Sequence, residues 1–552
     1  MSPTTDNIYA HPEFLAVILG LTNHLFFNRY EPFGRTVPYA IAVLFIEPVL
    51  LCLVQAYISP IQWPRYLIVY GAFYTSLLSS IILYRISPIH PLAKVPGPTM
   101  HKISKLWSVW ICWQGRQHTE FKAMHDKYGP VVRTGPNEIS IIDPSAVDDV
   151  LGKGGLPKGK YYLARQDERA PSNLLTLNGE KHKARRQVWN RGFNSDAVVE
   201  YGDILAETTM QLVEGIQARS ESQGEVDLTT WFNYFSFDFM AKFVFGGGSD
   251  LLTTGEDKKG ILELLEHHMM TGALVAHIPW FFYLGERIPG ATQATLKMRA
   301  FAMEWATKRL SRSAETKDLW YHLTGEATRE TGEQPQMAVK EVIADALMAI
   351  VAGADTTSVA LTNFFYLMLK HPEDYRRVQE EIDRVYADAD ATDVSKQSGL
   401  KYLSACLDES LRLLPPGLTG GPRQVPQGGR MIAGYFLPAG TQVYLPPYVM
   451  HRNPECFSPR PDDFEPSRWL NSNPDVWDRH NKKAFLSFSY GPANCVGRKL
   501  ARQEMLMAIS SMMQRFEFTF AKEFDWEHWP KTMEDFFTTS RGPMKVIARR
   551  KL

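Results

Sequence analysis

The sequence predicts a mainly α-helical body with a minor β-sheet region, preceded by N-terminal membrane-spanning helices. Three observations predict it. The first 96 residues carry nine charges (Asp6, Glu13, Arg29, Glu31, Arg35, Glu47, Arg65, Arg85 and Lys94), against 111 in the remaining 456. Beyond them, apolar stretches with helical periodicity dominate, the longest over 337–369. Strand-like segments are few and short. Over 552 residues, 45% hydrophobic and 22% charged content excludes a collagen, a disordered chain and a disulfide miniprotein. Lys+Arg and Asp+Glu are 60 each, so no basic excess argues for nucleic acid.

In chain order, 14–27 is apolar but short, and Thr22, Asn23 and His24 interrupt it. Segment 37–58 is long enough to span but carries Glu47 beside Pro48. An ionisable group at that depth is costly, so Glu47 should face another helix, or the span is re-entrant. Segment 66–84 has no charge over 19 residues, and at ~1.5 Å per residue it covers about one hydrocarbon core. The acidic start fits a cleaved signal peptide poorly. Arg85, Lys94, Lys102 and Lys105 follow the last span and place the body on the cytosolic side. Pro88, Pro91, Pro96 and Pro98 then forbid a continuing helix. The expected organisation is a membrane region with one to three spans over 1–86, a proline-rich hinge over 87–98 and one large, mainly helical domain over 99–552. Within that body, strands are expected at 131–134, 139–142, 430–432 and 443–445.

Five cysteines (Cys52, Cys112, Cys406, Cys456 and Cys495) are too few, and odd in number, for an oxidised framework. Cys495 alone sits in a Gly/Pro turn just before a helical run. Helix N-terminal N–H groups favour a thiolate there. With no second Cys or His nearby it cannot build a zinc site, but it can be the single axial ligand of a haem. A buried structural cysteine is the competing reading of the turn alone. Upstream, Gly353 lies inside an apolar helix and costs ~1 kcal/mol against Ala. Asp355 and Thr356 follow it. An acid beside a hydroxyl in such a helix is costly unless used. The pair can relay protons toward dioxygen, or mark a kink with back-bonded threonines. Glu409 and Arg412 share a helix face, as do His182 and Arg186, and both pairs are weak signals alone.

Taken together and in this order, these motifs resemble the cytochrome P450 family over about 99–552. Phe488, Gly491, Cys495, Gly497 and Ala501 match its haem-binding signature, and 352–357 is similar to its oxygen-activation motif. Glu409 and Arg412 match its E-x-x-R. The departure is Ala493, where the family usually has a basic residue touching a haem propionate. The resemblance implies the cytochrome P450 fold and haem b, with Cys495 as axial ligand of the iron. It implies Asp355 and Thr356 as the proton-delivering pair, His182, Arg186 and Arg423 as propionate partners, and Glu409, Arg412 and Arg468 as a buried ion-pair cluster.

The implied activity is a monooxygenase acting on a lipophilic small molecule. The chain looks most like membrane-bound filamentous-fungal members in secondary metabolism, such as terpenoid biosynthesis. A same-fold isomerase or dehydratase, or a non-enzymatic haem-binding membrane protein, are the alternatives. Gly246-Gly247-Gly248 lacks the frame of a dinucleotide loop. NADPH-derived electrons are therefore expected from NADPH-cytochrome P450 reductase, with cytochrome b5 as a second donor. The expected location is the endoplasmic reticulum membrane, with the body facing the cytosol. Lys482, Lys483, Lys499 and Arg502, with Lys181, Lys183 and Arg185, are the expected docking cations.

Overall fold

The charge-poor start folds, in a computed structural model of the chain, as three helices: α1 (Pro12–Arg29), α2 (Val37–Ile58) and α3 (Trp63–Ile86). The described residues are 11–58, 63–163, 170–285, 287–288, 290, 293–312, 317–326, 337–470 and 479–551. Of the membrane region expected over 1–86, residues 1–10 and 59–62 lie outside them. Val37–Tyr57 and Trp63–Ile86 are long and apolar enough to cross a membrane. The segment with Thr22, Asn23 and His24 becomes α1, which packs along α3 through Ala16, Val69, Phe73 and Leu77. Glu47 does find a facing helix, because Asn23 Nδ2 of α1 donates to its carboxylate.

The proline segment is fastened to the body. Leu92 and Val95 are buried, and strand β1 (Val131–Gly135) supplies Arg133 as a clasp. Its backbone N–H donates to Pro96 O (2.7 Å), and its guanidinium to Arg85 O (3.0 Å) and His90 Nε2 (3.2 Å). Burial, with Arg133 beside it, lowers the His90 pKa to about 4, so the neutral ring can accept that bond. A second tether joins the α1–α2 loop to the body: Lys160 pairs with Glu31 (2.6 Å), and the Phe33 and Tyr283 rings meet at 5.4 Å.

Five helices of the body position the site: α4 (Gly179–Gly192), α5 (Leu228–Phe245), α6 (Val339–Lys370), α7 (Lys401–Leu413) and α8 (Arg498–Arg515). The expected long helix is α6, of 32 residues, ending at Lys370 with His371 as its C-cap before Pro372. Like the two N-terminal spans it is long and apolar enough to cross a membrane, but half of that stretch is buried inside the protein. It is the axis of the core, as an all-round apolar helix must be. Helix α5 lies along it, and Gly353 permits the approach: a Cβ there would stand 2.4 Å from Met240 Sδ. The principal sheet runs β1, β2 (Glu138–Ile141), β4 (Gln442–Tyr444), β3 (Arg423–Gln424). The β2–β4 pair is parallel and the others antiparallel. The strand expected at 430–432 is there too, paired with Tyr435–Leu437.

Candidate active site

The turn before α8 takes its shape from Gly491, whose φ of +71° places the chain so close to its neighbour that a Cβ would lie 2.0 Å from Leu151 O. Cys495 N–H then donates to Phe488 O (2.9 Å), and the Arg498 guanidinium sits 5.4 Å above the Phe488 ring. Gly497, the N-cap of α8, turns its N–H to the Cys495 sulfur. Cys495 is exposed, but what it faces is a cavity in two adjoining parts of about 220 and 350 Å³. The walls shared by both parts include Cys495, Ala493, Thr356, Thr357 and Lys158. Burial pushes the thiol pKa up, against the Gly497 N–H and the Arg186 and Arg498 guanidiniums. The helix-end field expected to favour a thiolate is therefore outweighed until a cation binds the sulfur.

One side of this cavity is cationic. His182 and Arg186 of α4 line one part and Arg423 of β3 the other. Arg186 is partly engaged by Asn494, donating to its backbone O (2.6 Å) and its Oδ1 (2.9 Å). Arg423 is buried, and its Nε has no hydrogen-bond partner among the described residues. Burial and the neighbouring Lys158, Arg186 and Arg423 hold His182 near pKa 4, hence neutral. Among the described lining residues the one carboxyl is Glu504. Burial keeps its pKa well above the ordinary range, and Thr357 Oγ1 donates to it at 3.4 Å. An orphaned buried guanidinium N–H, unbalanced cations, apolar walls and one sulfur donor fit a large dianionic group with a thiolate-bound metal. No group of three or more metal-binding side chains occurs among the described residues.

Asp355 and Thr356 are neighbours in sequence but stand on different faces of α6. Thr356 faces the Cys495 cavity, its Oγ1 donating to Ala352 O (2.6 Å). Asp355 faces another cavity of about 250 Å³, lined also by Asn233, Glu266, Ser540 and Arg541. Thr538 Oγ1 donates to its carboxylate. Burial raises the Asp355 pKa, with Thr538 and Arg541 opposing.

Glu409, Arg412 and Arg468 do meet, all without solvent exposure. Arg412 Nε and Nη2 donate to Glu409 at 2.8 Å each, and Arg468 Nε donates at 3.0 Å. Trp469 Nε1 (2.9 Å) and Glu465 N–H (2.9 Å) complete the carboxylate's shell. Burial pushes Glu409 up, but the two guanidiniums outweigh it and hold the carboxyl below its ordinary value. His451, absent from the sequence reading, extends the cluster. Its Nδ1 bonds Arg412 O (2.8 Å), and its Nε2 accepts from Leu486 N–H (2.8 Å) on the way to Cys495.

One expectation fails outright. Arg185 is no docking cation, because it is buried and paired with Asp345 (3.0 Å) and Glu341 of α6. Trp189 Nε1 also donates to Asp345 (2.8 Å), locking α4 on α6. Lys158 and Glu504, too, are wall residues that no motif signalled.

The family profile "Cytochrome P450" matches residues 96–546. Among curated relatives, cytochrome P450 monooxygenase FCK2 of Fusarium pseudograminearum is 32% identical over 476 residues, covering 85% of this chain and 84% of that protein. Cytochrome P450 monooxygenase cpaH of Aspergillus oryzae is 31% identical, with 84% and 90% covered. Tryprostatin B 6-hydroxylase of Aspergillus fumigatus is 28% identical, with 87% and 84% covered.

Proposed function

For a chain that belongs to the cytochrome P450 monooxygenase family, we propose insertion of one oxygen atom from O2 into a lipophilic small molecule, such as a terpenoid. The reaction takes place at a haem b held by Cys495. The observation that carries this reading is the Cys495 sulfur opening on an apolar cavity that also holds the Thr356 hydroxyl and a cationic side. Haem, when bound there, supplies the metal centre for dioxygen activation and oxygen transfer.

The rest is the work of this chain's own residues. Cys495 is the iron ligand, and Phe488, Gly491 and Gly497 shape its turn. Arg186 and Arg423 neutralise carboxylates, and His182 borders them. Leu175, Ala360, Leu445 and Phe537 make the wall apolar and exclude water. Thr356 Oγ1 holds a proton at the cavity wall, and Asp355 holds the next one in the polar chamber behind α6. Glu409, Arg412 and Arg468 brace the segment leading to Cys495.

Helices α2 and α3 support anchoring in the endoplasmic reticulum membrane, with the body facing the cytosol. NADPH-cytochrome P450 reductase, with cytochrome b5 as a second donor, would dock near Lys482, Lys483, Lys499 and Arg502. Of these, Lys483 pairs with Asp148 (2.8 Å) and Arg502 with Asp408. Cys495→Ser tests the reading: the reduced, carbon monoxide-treated protein should lose its red-shifted haem–thiolate band. Survival of that band in the variant would sink the proposal.

A further inference from the structure

The loop between α1 and α2 is tied into a fixed shape. Its helical turn (Gly34–Thr36) is held by the Thr36 hydroxyl, which accepts from Phe33 N–H (3.1 Å) and donates to Phe33 O (2.8 Å). So shaped, it presents Glu31 and Phe33 to the body. We propose that Glu31 and Phe33 are positioning residues for ligand selection. They hold the short helix Lys160–Leu163 inward, and with it the Tyr162 ring that walls the Cys495 cavity.

The loop grips the outer side of that helix. Lys160 Nζ donates to the Glu31 carboxylate (2.6 Å) and lies 5.2 Å from the centroid of the Phe33 ring. One ammonium is thus engaged twice by one loop, as an ion pair and over a ring face. Glu31 is largely exposed, and such an ion pair holds little alone, so the ring carries more of the grip. The Phe33 ring also meets the buried Tyr283 ring edge-on at 5.4 Å. Tyr283 belongs to a second short helix, Pro279–Gly285, against which α2 and the helix Lys160–Leu163 both pack. The loop therefore spans the seam between two segments of the body.

The inner side of Lys160–Leu163 faces the cavity. Tyr161 and Tyr162 are buried. Tyr162 lines the larger part of the cavity with Gly421 and Phe537, and meets the Phe537 ring at 6.3 Å. Gly421 makes the room, since a Cβ there would stand 2.3 Å from Tyr162 Oη. Tyr161 meets the His277 ring at 5.8 Å, and Ala276 packs with both tyrosines. His277 ends the helix Ile261–His277, and Ile278 alone separates it from Pro279.

These contacts close a ring that runs from Phe33 to Lys160, from Tyr161 to His277, and from Tyr283 back to Phe33. Opening it at Phe33 frees the outer side of Lys160–Leu163. The start of that helix stays fixed, because Lys160 N–H donates to Gln424 Oε1 (3.1 Å). The helix then swings about this end, Tyr162 withdraws, and the cavity admits a wider ligand. A wall held from outside in this way excludes wide ligands and leaves narrow ones alone.

The readout of the test rests on the haem reading above. Two azoles that ligate haem iron, the narrow 4-phenylimidazole and the wide clotrimazole, are titrated into the full-length, haem-loaded chain in detergent and followed by the Soret shift. Phe33→Ala should bind clotrimazole about fivefold tighter, equivalent to about 1 kcal/mol, with 4-phenylimidazole unchanged. Phe33→Tyr, which keeps the ring, should match the parent. In a Tyr162→Ala background, Phe33→Ala should add no further change, because the wall it positions is gone. A ratio of the two Kd values within about twofold of the parent's overturns the proposal, as does a ratio that moves toward the narrow azole. So does a shift of the same size in the Tyr162→Ala background, which would place the effect elsewhere. Should Phe33→Ala fail to accumulate, Glu31→Lys, which turns the ion pair into a repulsion, is read by the same criteria. A parent chain that shows no Soret shift with either azole would instead defeat the haem reading, and is settled before any variant is compared.

Discussion

Arg412→Ala removes the centre of the buried cluster, and its cost follows from the bonds described. Arg412 is wholly buried and donates twice to Glu409, and also to the carbonyls of His451 (2.7 Å), Pro461 (2.5 Å) and Asp463 (2.9 Å). Alanine leaves three carbonyls short of a donor, at about 1 kcal/mol or more each. Glu409 keeps Arg468, Trp469 and the Glu465 N–H, so its charge is only partly uncovered. The sum agrees with the ~3–5 kcal/mol of breaking a buried pair. With unfolding entropy of about 2.1 cal/mol/K per residue over roughly 450 residues, the melting midpoint should fall by about 3–5 °C. Haem-loaded protein should fall with it, because His451 ties Arg412 to the segment before Cys495. Arg412→Lys should do nearly as badly, since an ammonium cannot reproduce the fork that reaches Glu409 and three carbonyls. The assay is haem content per polypeptide with fluorescence-monitored melting of the full chain in detergent. A midpoint within about 1 °C of the parent and normal loading would refute the ledger of bonds, and full rescue by lysine would refute the geometric part.

Thr356→Ala should keep haem and the melting midpoint. In a reaction reconstituted with the reductase, it should raise the peroxide formed per NADPH several-fold; unchanged peroxide would exclude the Oγ1 proton from the relay. Glu504→Gln should raise the melting midpoint at neutral pH, where the unfolded chain gains from ionising a carboxyl that burial keeps protonated in the fold. The folded pKa of Glu504 is raised, so its contribution is full below the ordinary value of 4.5 and is lost as pH rises through the folded pKa. The variant's advantage in melting midpoint should therefore shrink from pH 7.5 toward pH 5, and a gap independent of pH would exclude the carboxyl as its source.

The long helix, the lone cysteine in its turn and the Glu409–Arg412 pair are legible because each is local: periodicity, turn chemistry and a three-residue spacing announce them. Glu47 belongs here too, since the cost of its depth demanded a partner, though only the fold names Asn23. What the spacing cannot show is which way a helix faces. Adjacent residues lie about 100° apart, so Arg185 turns to Asp345, 160 positions away in the chain, while Arg186 turns to the cavity. The same rotation parts Asp355 from Thr356. Lys158, Glu504 and His451 carry no motif, and each gains its place from contacts that only the assembled fold creates.

The Arg133 clasp has a mechanical consequence. A body joined to its anchor by a single strand of chain can swivel about that strand. Here the exit from α3 is pinned to β1, and the α1–α2 loop is pinned separately through Glu31 and Phe33. Two attachments remove the rotation that one would allow. Any tilt of the three helices relative to one another is then transmitted to the body as by a lever, through the clasp at Arg133 and the contacts of Glu31 and Phe33.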